Sequence, residues 1–247
     1  MITQSVVVHD GIAYVGVSSW EEYVAAKVSG YECCTFRGSL NALDVETGAV
    51  LWKTMMTPDV AGYSGNPVWG GMPAIDPSRG MVYVTIGNAY ILPEDVIACV
   101  GAARKAENAA AERAWTDVEP TNYTNTFVAL DLATGEVKWG TSVQPYDPYT
   151  QSCFTPRPNP QNCPDPAGPD FDFAQGPKLF TATIDGKPRA LIGAGQKSGI
   201  YWALDRDTGE ILWQTEMLAR AARWAASVVA RYTASTSVPS TVTPGMP

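Results

Sequence analysis

Apolar and polar positions alternate along most of the chain, in short runs broken by Asp-Gly, Thr-Gly and Pro. A period of two sends successive side chains to opposite faces of an extended segment, so these runs predict β-strands. VVVHDGIAYVGV (6–17) reads as strand, turn and strand around Asp10-Gly11. MVYVTIGN (81–88) alternates after a turn over 76–80, and KLFTATIDGKPRALIGAG (178–195) reads as a hairpin around Asp185-Gly186. Residues 196–204 form the next predicted strand. One stretch breaks the pattern: 96–116 is rich in Ala, Glu and Arg and predicts a short helix inserted in a loop, with 98–114 outside the strand framework.

Three segments share one frame, A-L-D-x-x-T-G-x-apolar-x-W-x-T. They are ALDVETGAVLWKT (42–54), ALDLATGEVKWGT (129–141) and ALDRDTGEILWQT (203–215). Recurrence of a frame this long is an internal repeat. In each copy an alternating strand leads into an Asp whose carboxylate can cap the following turn, as at Asp131. Thr-Gly closes the turn, with Gly supplying positive φ, and the chain returns as a second strand carrying Trp. Such a hairpin cannot bury both faces alone, but radially stacked blades can. Trp52, Trp139 and Trp213 are therefore expected buried at equivalent places between blades. The expected fold class is all-β, a partial β-propeller over 1–216. A closed ring needs roughly 4–8 four-stranded blades, and this chain has strands for three or four.

Composition narrows the function classes. The chain has 247 residues, 45% of them apolar and 17% charged, which is globular rather than disordered. A net charge of −8 without a basic stripe argues against nucleic acid. No apolar run approaches the ~18 residues of a membrane span. The five cysteines are Cys33, Cys34, Cys99, Cys153 and Cys163, so at least one is unpaired within the chain. Cys153 and Cys163 flank a Pro-rich loop, where a disulfide would suit an oxidising compartment. The opening Met-Ile-Thr-Gln-Ser has neither a basic segment nor a long apolar run. That leaves a cytosolic protein or a chain lacking its true N-terminus, and the second is expected.

The repeat, together with CCTFRGSLNALD (33–44), GYSGNPVWGGMPAIDPSRGMVYVTIGN (62–88), NCPDPAGPDFDFAQGPKLF (162–180) and GQKSGIYWALDRDTG (195–209), resembles quinoprotein alcohol dehydrogenases that use pyrroloquinoline quinone (PQQ). The resemblance is to the polyvinyl-alcohol dehydrogenase-like branch and covers nearly all of 5–216. It implies a PQQ-type propeller with PQQ and Ca²⁺ in the central channel. The implied reaction is oxidation of an alcohol, polymeric or secondary, with electrons passing to a cytochrome c-type or quinone acceptor. It also implies a periplasmic or secreted parent. A non-catalytic propeller that scaffolds a partner protein is the alternative, because a repeat fixes only a fold.

What the resemblance implies for individual residues is specific. Trp69 would stack on the PQQ face, and Asn88 would give Ca²⁺ a hard amide oxygen. Asp172 would be the general base and approach the metal, with Asp170 as its neighbouring alternative; on a strand the two would share a face. Lys197 would hydrogen-bond the quinone oxygens and stabilise the charge that develops there. Arg37 would bind a PQQ carboxylate. Cys33-Cys34 would form an adjacent-cysteine disulfide ring against the cofactor. Related enzymes carry a glutamate metal ligand where this pair stands, so Glu32, or Glu21 and Glu22, would replace it. Each residue also has a plain structural reading. Trp69 is then a blade-packing indole, Asn88 a left-handed turn residue and Asp172 part of a solvated acidic loop. Lys197 is a surface lysine, Arg37 half of a structural ion pair, and the adjacent cysteines are reduced thiols.

After Glu216 the turn-rich pattern gives way to Ala, Arg, Ser and Thr. Residues 217–247 are expected to lie outside the propeller. One reading is a frameshift near codon 217, since a shifted frame admits the Gly-rich turn a blade needs. The other is a genuine helix over 222–230 with a Ser/Thr/Pro tail.

Overall fold

The computed structural model describes residues 1–107, 119–154 and 158–217. Strands β1 (Val7–His9), β2 (Ile12–Val17), β3 (Ser39–Asp44) and β4 (Val50–Met55) form the first four-stranded antiparallel sheet in sequence order. Next come β5 (Ser64–Gly65), β6 (Ala74–Asp76), β7 (Met81–Thr85), β8 (Ala89–Ile91), β9 (Thr126–Asp131) and β10 (Val137–Ser142). Of these, β6, β7, β9 and β10 form the second sheet, and β5 and β8 pair separately. Strands β11 (Lys178–Ile184), β12 (Lys187–Gly195), β13 (Ile200–Asp205) and β14 (Ile211–Glu216) form the third, again in sequence order. The described residues thus make three successive propeller blades.

Alternation builds the contacts between blades. In the middle blade, Val82, Val84, Val128 and Leu130 face Tyr14, Leu40 and Ala42 of the first blade. Tyr83, Phe127 and Ala129, one position out of step, face Ile192, Ala194, Trp202 and Leu204 of the third. One sheet therefore serves two cores, which is why its strands are apolar on both faces. The first strand of each sheet lies at an edge, and β1, β6 and β11 border a common groove of about 380 Å³.

The repeat frame explains how blades lock. Asp131 Oδ1 accepts from Ala133 N, Thr134 N and Thr134 Oγ1 at 2.9–3.0 Å, capping the turn as its sequence predicts. Gly135 has φ +72° and packs directly on the Trp52 ring of the preceding blade, where an added Cβ would sit 2.5 Å from Cε3. Gly209 packs on Trp139 in the same way, at 2.6 Å. Thr54 Oγ1 donates to Gly135 O at 2.6 Å, and Thr141 Oγ1 to Gly209 O at 2.8 Å. The W-x-T of each blade clasps the T-G turn of the next. Trp52, Trp139 and Trp213 occupy equivalent places but are half-buried rather than buried. They stand on the last strand of each sheet, where only the face turned to the next blade can be covered.

Two helices interrupt the strands. α2 (Glu94–Lys105) is the inserted helix, and it packs Val96 and Val100 on Leu92 and Tyr146 in a small core apart from the blades. The remainder of the predicted insertion, from 108 to 116, lies outside the described residues, as do 218–247. α1 (Glu21–Lys27), between β2 and β3, has no counterpart among the elements read from the sequence. No helix of the described residues is long and apolar enough to cross a membrane.

Candidate active site

The loops joining β2 to β3, β10 to β11 and β12 to β13, with the segment leading into β6, all emerge at one end of the sheets. There they enclose a cavity of about 320 Å³ whose walls include Trp69, Asp170, Asp172 and Lys197. Trp69, Asp172 and Lys197 thus meet, although they come from separate segments. Lys197 Nζ lies 2.6 Å from Asp172 Oδ1 and 3.0 Å from Asp170 Oδ1. Trp69 Nε1 donates to Asp172 Oδ2 at 2.8 Å. The same ammonium stands 5.5 Å from the centre of the Trp69 ring.

Local sequence accounts for this convergence. Gly70 and Gly71 follow Trp69, and a Cβ on either would overlap the backbone of Ala174 or Gly176. The two glycines let the Trp69 segment lie flush against the chain just past Asp172. Lys197 sits in the tight turn between β12 and β13, closed by Gly199 N donating to Gln196 O. Its backbone N donates to Asp172 O at 3.3 Å. Asp170 and Asp172 are not on a strand, contrary to the same-face expectation. Their loop is held by the fully buried Asp147, whose carboxylate accepts from Asp170 N, Phe171 N and Asn125 Nδ2, each at 2.8 Å.

Electrostatics follow from burial in a crowd of carboxylates. Burial raises Asp172 to about 6, with the Lys197 charge opposing and Asp170 adding. Burial likewise raises Asp170, against the pull of Lys197. Burial alone would lower Lys197, but Asp172 and Asp170 outweigh it and hold the ammonium above the usual lysine range. Glu22, projecting from α1 into the same cavity, is pushed up to about 8 by burial and then by Asp170 and Asp172. Burial drives Asp147 to about 7 despite its three donors.

Other candidates stand apart from the cavity. Asn88 is buried behind its wall, its Nδ2 donating to Ala89 O at 2.8 Å and Tyr149 O at 3.0 Å. Arg37 pairs with Asp59 at 2.6 Å and donates to Thr57 O, the structural alternative of its two readings. Cys33 and Cys34 are joined to each other, and Cys153 to Cys163, leaving Cys99 as the free thiol. The adjacent-cysteine pair does not line the cavity. Glu32 is exposed. Glu21 is buried and ties down the neighbouring loop, accepting from Tyr31 Oη, Thr35 N and Phe36 N at 2.6–2.8 Å. Of the three glutamates, it is Glu22 that reaches the cavity. Of the candidate calcium set Asn88, Asp172 and Glu32, only Asp172 lines the cavity. No group of three or more His, Cys, Asp or Glu side chains among the described residues is arranged to hold a metal ion. The cavity offers a flat cofactor an indole wall and one cation, Lys197, which is already paired with Asp170 and Asp172.

Comparison with known proteins bears on the fold and the family. No protein-family model matches the chain. The polyvinylalcohol dehydrogenase of Sphingopyxis sp. (strain 113P3) is 33% identical over 229 residues, covering 87% of this chain and 30% of the relative. That of a Pseudomonas sp. is 34% identical over 226 residues, covering 86% and 30%. Among solved structures, the quinohemoprotein alcohol dehydrogenase of Comamonas testosteroni superposes with a TM-score of 0.59 at 21% identity, covering 88% of this chain and 29% of that one. The fold is thus that of part of a quinoprotein alcohol dehydrogenase propeller. The chain belongs to the PQQ quinoprotein alcohol dehydrogenase family, on its polyvinylalcohol dehydrogenase-like side, and spans about 30% of the length of those relatives.

Proposed function

We propose that this chain contributes part of a PQQ-dependent alcohol-oxidising site, with a secondary or polymeric alcohol as substrate. The observation that carries the reading is the linked group Trp69–Asp172–Lys197 at one end of the blades. PQQ, when bound, supplies a two-electron acceptor. Trp69 would offer it an indole face, and Lys197 would supply a positive charge to its oxygens. Asp172 takes the proton of the alcohol hydroxyl; its two oxygens keep lone pairs beyond those used by Lys197 and Trp69. Ca²⁺ and a cytochrome c-type or quinone acceptor belong to this proposal through the family, as does a periplasmic or secreted setting.

Reconstitution tests the reading. The full chain is incubated with PQQ and Ca²⁺, then followed by absorbance and by dye reduction with a secondary alcohol or polyvinyl alcohol. A cofactor spectrum shifted by the protein and lost in Trp69→Ala is expected. An unshifted spectrum at saturating PQQ would count against the site.

A further inference from the structure

Helix α1 is asked to do more than its own sequence supports. It has seven residues, and no side chain caps its N-terminus. A helix this short is marginal in water by itself. Its first turn nevertheless presents Glu22 and Tyr23 to the cavity, and Trp20 just before it also lines the wall. Glu21 meanwhile anchors the following loop through Tyr31 Oη, Thr35 N and Phe36 N. The helix must therefore be held from outside.

That hold comes from two buried asparagines far along the chain, Asn159 and Asn162. Asn159 Nδ2 donates to Ala25 O at 2.9 Å and also to Val28 O, while its Oδ1 accepts from Gly30 N at 3.0 Å. Asn162 Nδ2 donates to Ala25 O at 3.1 Å and to Tyr31 O at 2.7 Å. Ala25 O lies in the last turn of α1, where a carbonyl has no partner within the helix. Every one of these bonds goes to the main chain, so the asparagines fix the course of the backbone leaving α1.

The asparagines are themselves tied down. Cys163, next to Asn162, is bonded to Cys153. Thr150 Oγ1 is buried, donates to Asn162 O at 2.8 Å and accepts from Ser152 N at 3.2 Å. The short 3₁₀ turns Gln151–Cys153 and Pro160–Asn162 both pack on α1. Cys153 stands between Gln151 and Phe154, and both of these line the cavity. The disulfide thus joins a stretch that forms part of the wall to a stretch that grips the helix forming another part.

We infer that Asn159 and Asn162 are positioning residues of the cavity, acting through α1, and that the Cys153–Cys163 disulfide is the strap that keeps them seated. The inference rests on the reading of the cavity as a cofactor site. None of these four residues lines the cavity. They set where Trp20, Glu22 and Tyr23 stand relative to Gln151 and Phe154.

Two variants of the full chain test this. Asn159→Ala with Asn162→Ala leaves the disulfide in place, and Cys153→Ala with Cys163→Ala leaves the asparagines. In each, amide exchange over 21–28 is expected to quicken at least tenfold while β7 and β9 keep their wild-type protection. PQQ binding, followed by the shift of its spectrum, is expected to weaken at least tenfold in both. Should one variant fail to fold, the other decides. Protection lost evenly over the sheets would make the strap a matter of general stability and overturn the inference, as would wild-type exchange over 21–28. So would undiminished PQQ affinity in a variant whose α1 has loosened. A wild-type chain that leaves the PQQ spectrum unshifted would count against the proposed function instead, and exchange over 21–28 would still decide whether the strap holds the wall.

Discussion

Burial and pairing pull the Asp172 carboxylate in opposite directions, and burial prevails, at about 6. A base must be ionised to take a proton, so turnover in a PQQ-loaded protein should rise as pH climbs through about 6 and then level off. Asp172→Asn should keep the cofactor spectrum while lowering turnover by roughly 100-fold or more, the span usual for a general base; a pH–rate profile on both proteins checks it. Asp76 shows the opposite balance. Burial would raise it, but Ser78, Arg206 and Arg79 together bring it down to about 2. A carboxylate depressed in the fold stabilises above its unfolded value near ~3.9 and loses that contribution as pH falls toward 2. Asp76→Asn should therefore flatten the acid limb of a stability–pH curve between those values, as urea midpoints would show. Trp69, Asp172 and Lys197 were singled out only by the family resemblance, since no spacing along the chain links their three segments. Asp147 was not, since nothing in Tyr-Asp-Pro signals a carboxylate that will hold a loop more than twenty residues later. Glu22 and Glu32 could not be told apart by spacing. Only the helix that carries Glu22 turns it into the cavity.

The hairpin of the repeat is the unit from which this molecule is assembled, and its glycine carries two duties. Gly135 holds a left-handed turn and also admits the Trp52 ring, while Gly186 holds a similar turn in open space. Alanine at Gly186 should cost about 1–2 kcal/mol of strain alone. At Gly135 the collision with Trp52 should add roughly 1–3 kcal/mol more, as for an overpacked core. Paired denaturation curves separate the two costs; equal losses would mean that the Trp–Gly contact is incidental. Elements with long alternation or a turn signal were readable, including each blade's repeat hairpin and the helix at α2. The missed ones are short. α1 has seven residues and the β5–β8 pair only two and three, too few for a period to declare itself. Both depend on what they pack against rather than on their own pattern.

Three blades in a row do not share stability equally, because each is held by its neighbours. The middle sheet has both faces covered, by the core shared with the first blade and the core shared with the third. Each outer sheet has one. On β4, Val50 and Leu51 are 61% and 50% exposed, and on β14 Thr215 and Glu216 face solvent. Opening an end sheet forfeits one core, whereas opening β7 or β9 forfeits two. A covered face of several large apolar side chains is worth more than ~1.4 kcal/mol, a factor of ten in an opening equilibrium. Amide exchange should therefore be slowest in β7 and β9 and at least about tenfold faster in β4 and β14. Uniform protection across all three sheets would mean that the end sheets gain cover beyond the cores they share with the middle one. The cavity shares this gradient, because Trp69 leads into the middle blade while Lys197 hangs from the third. Its geometry should loosen from the Lys197 side first, so the β12–β13 turn should exchange ahead of the Trp69 segment in the same experiment.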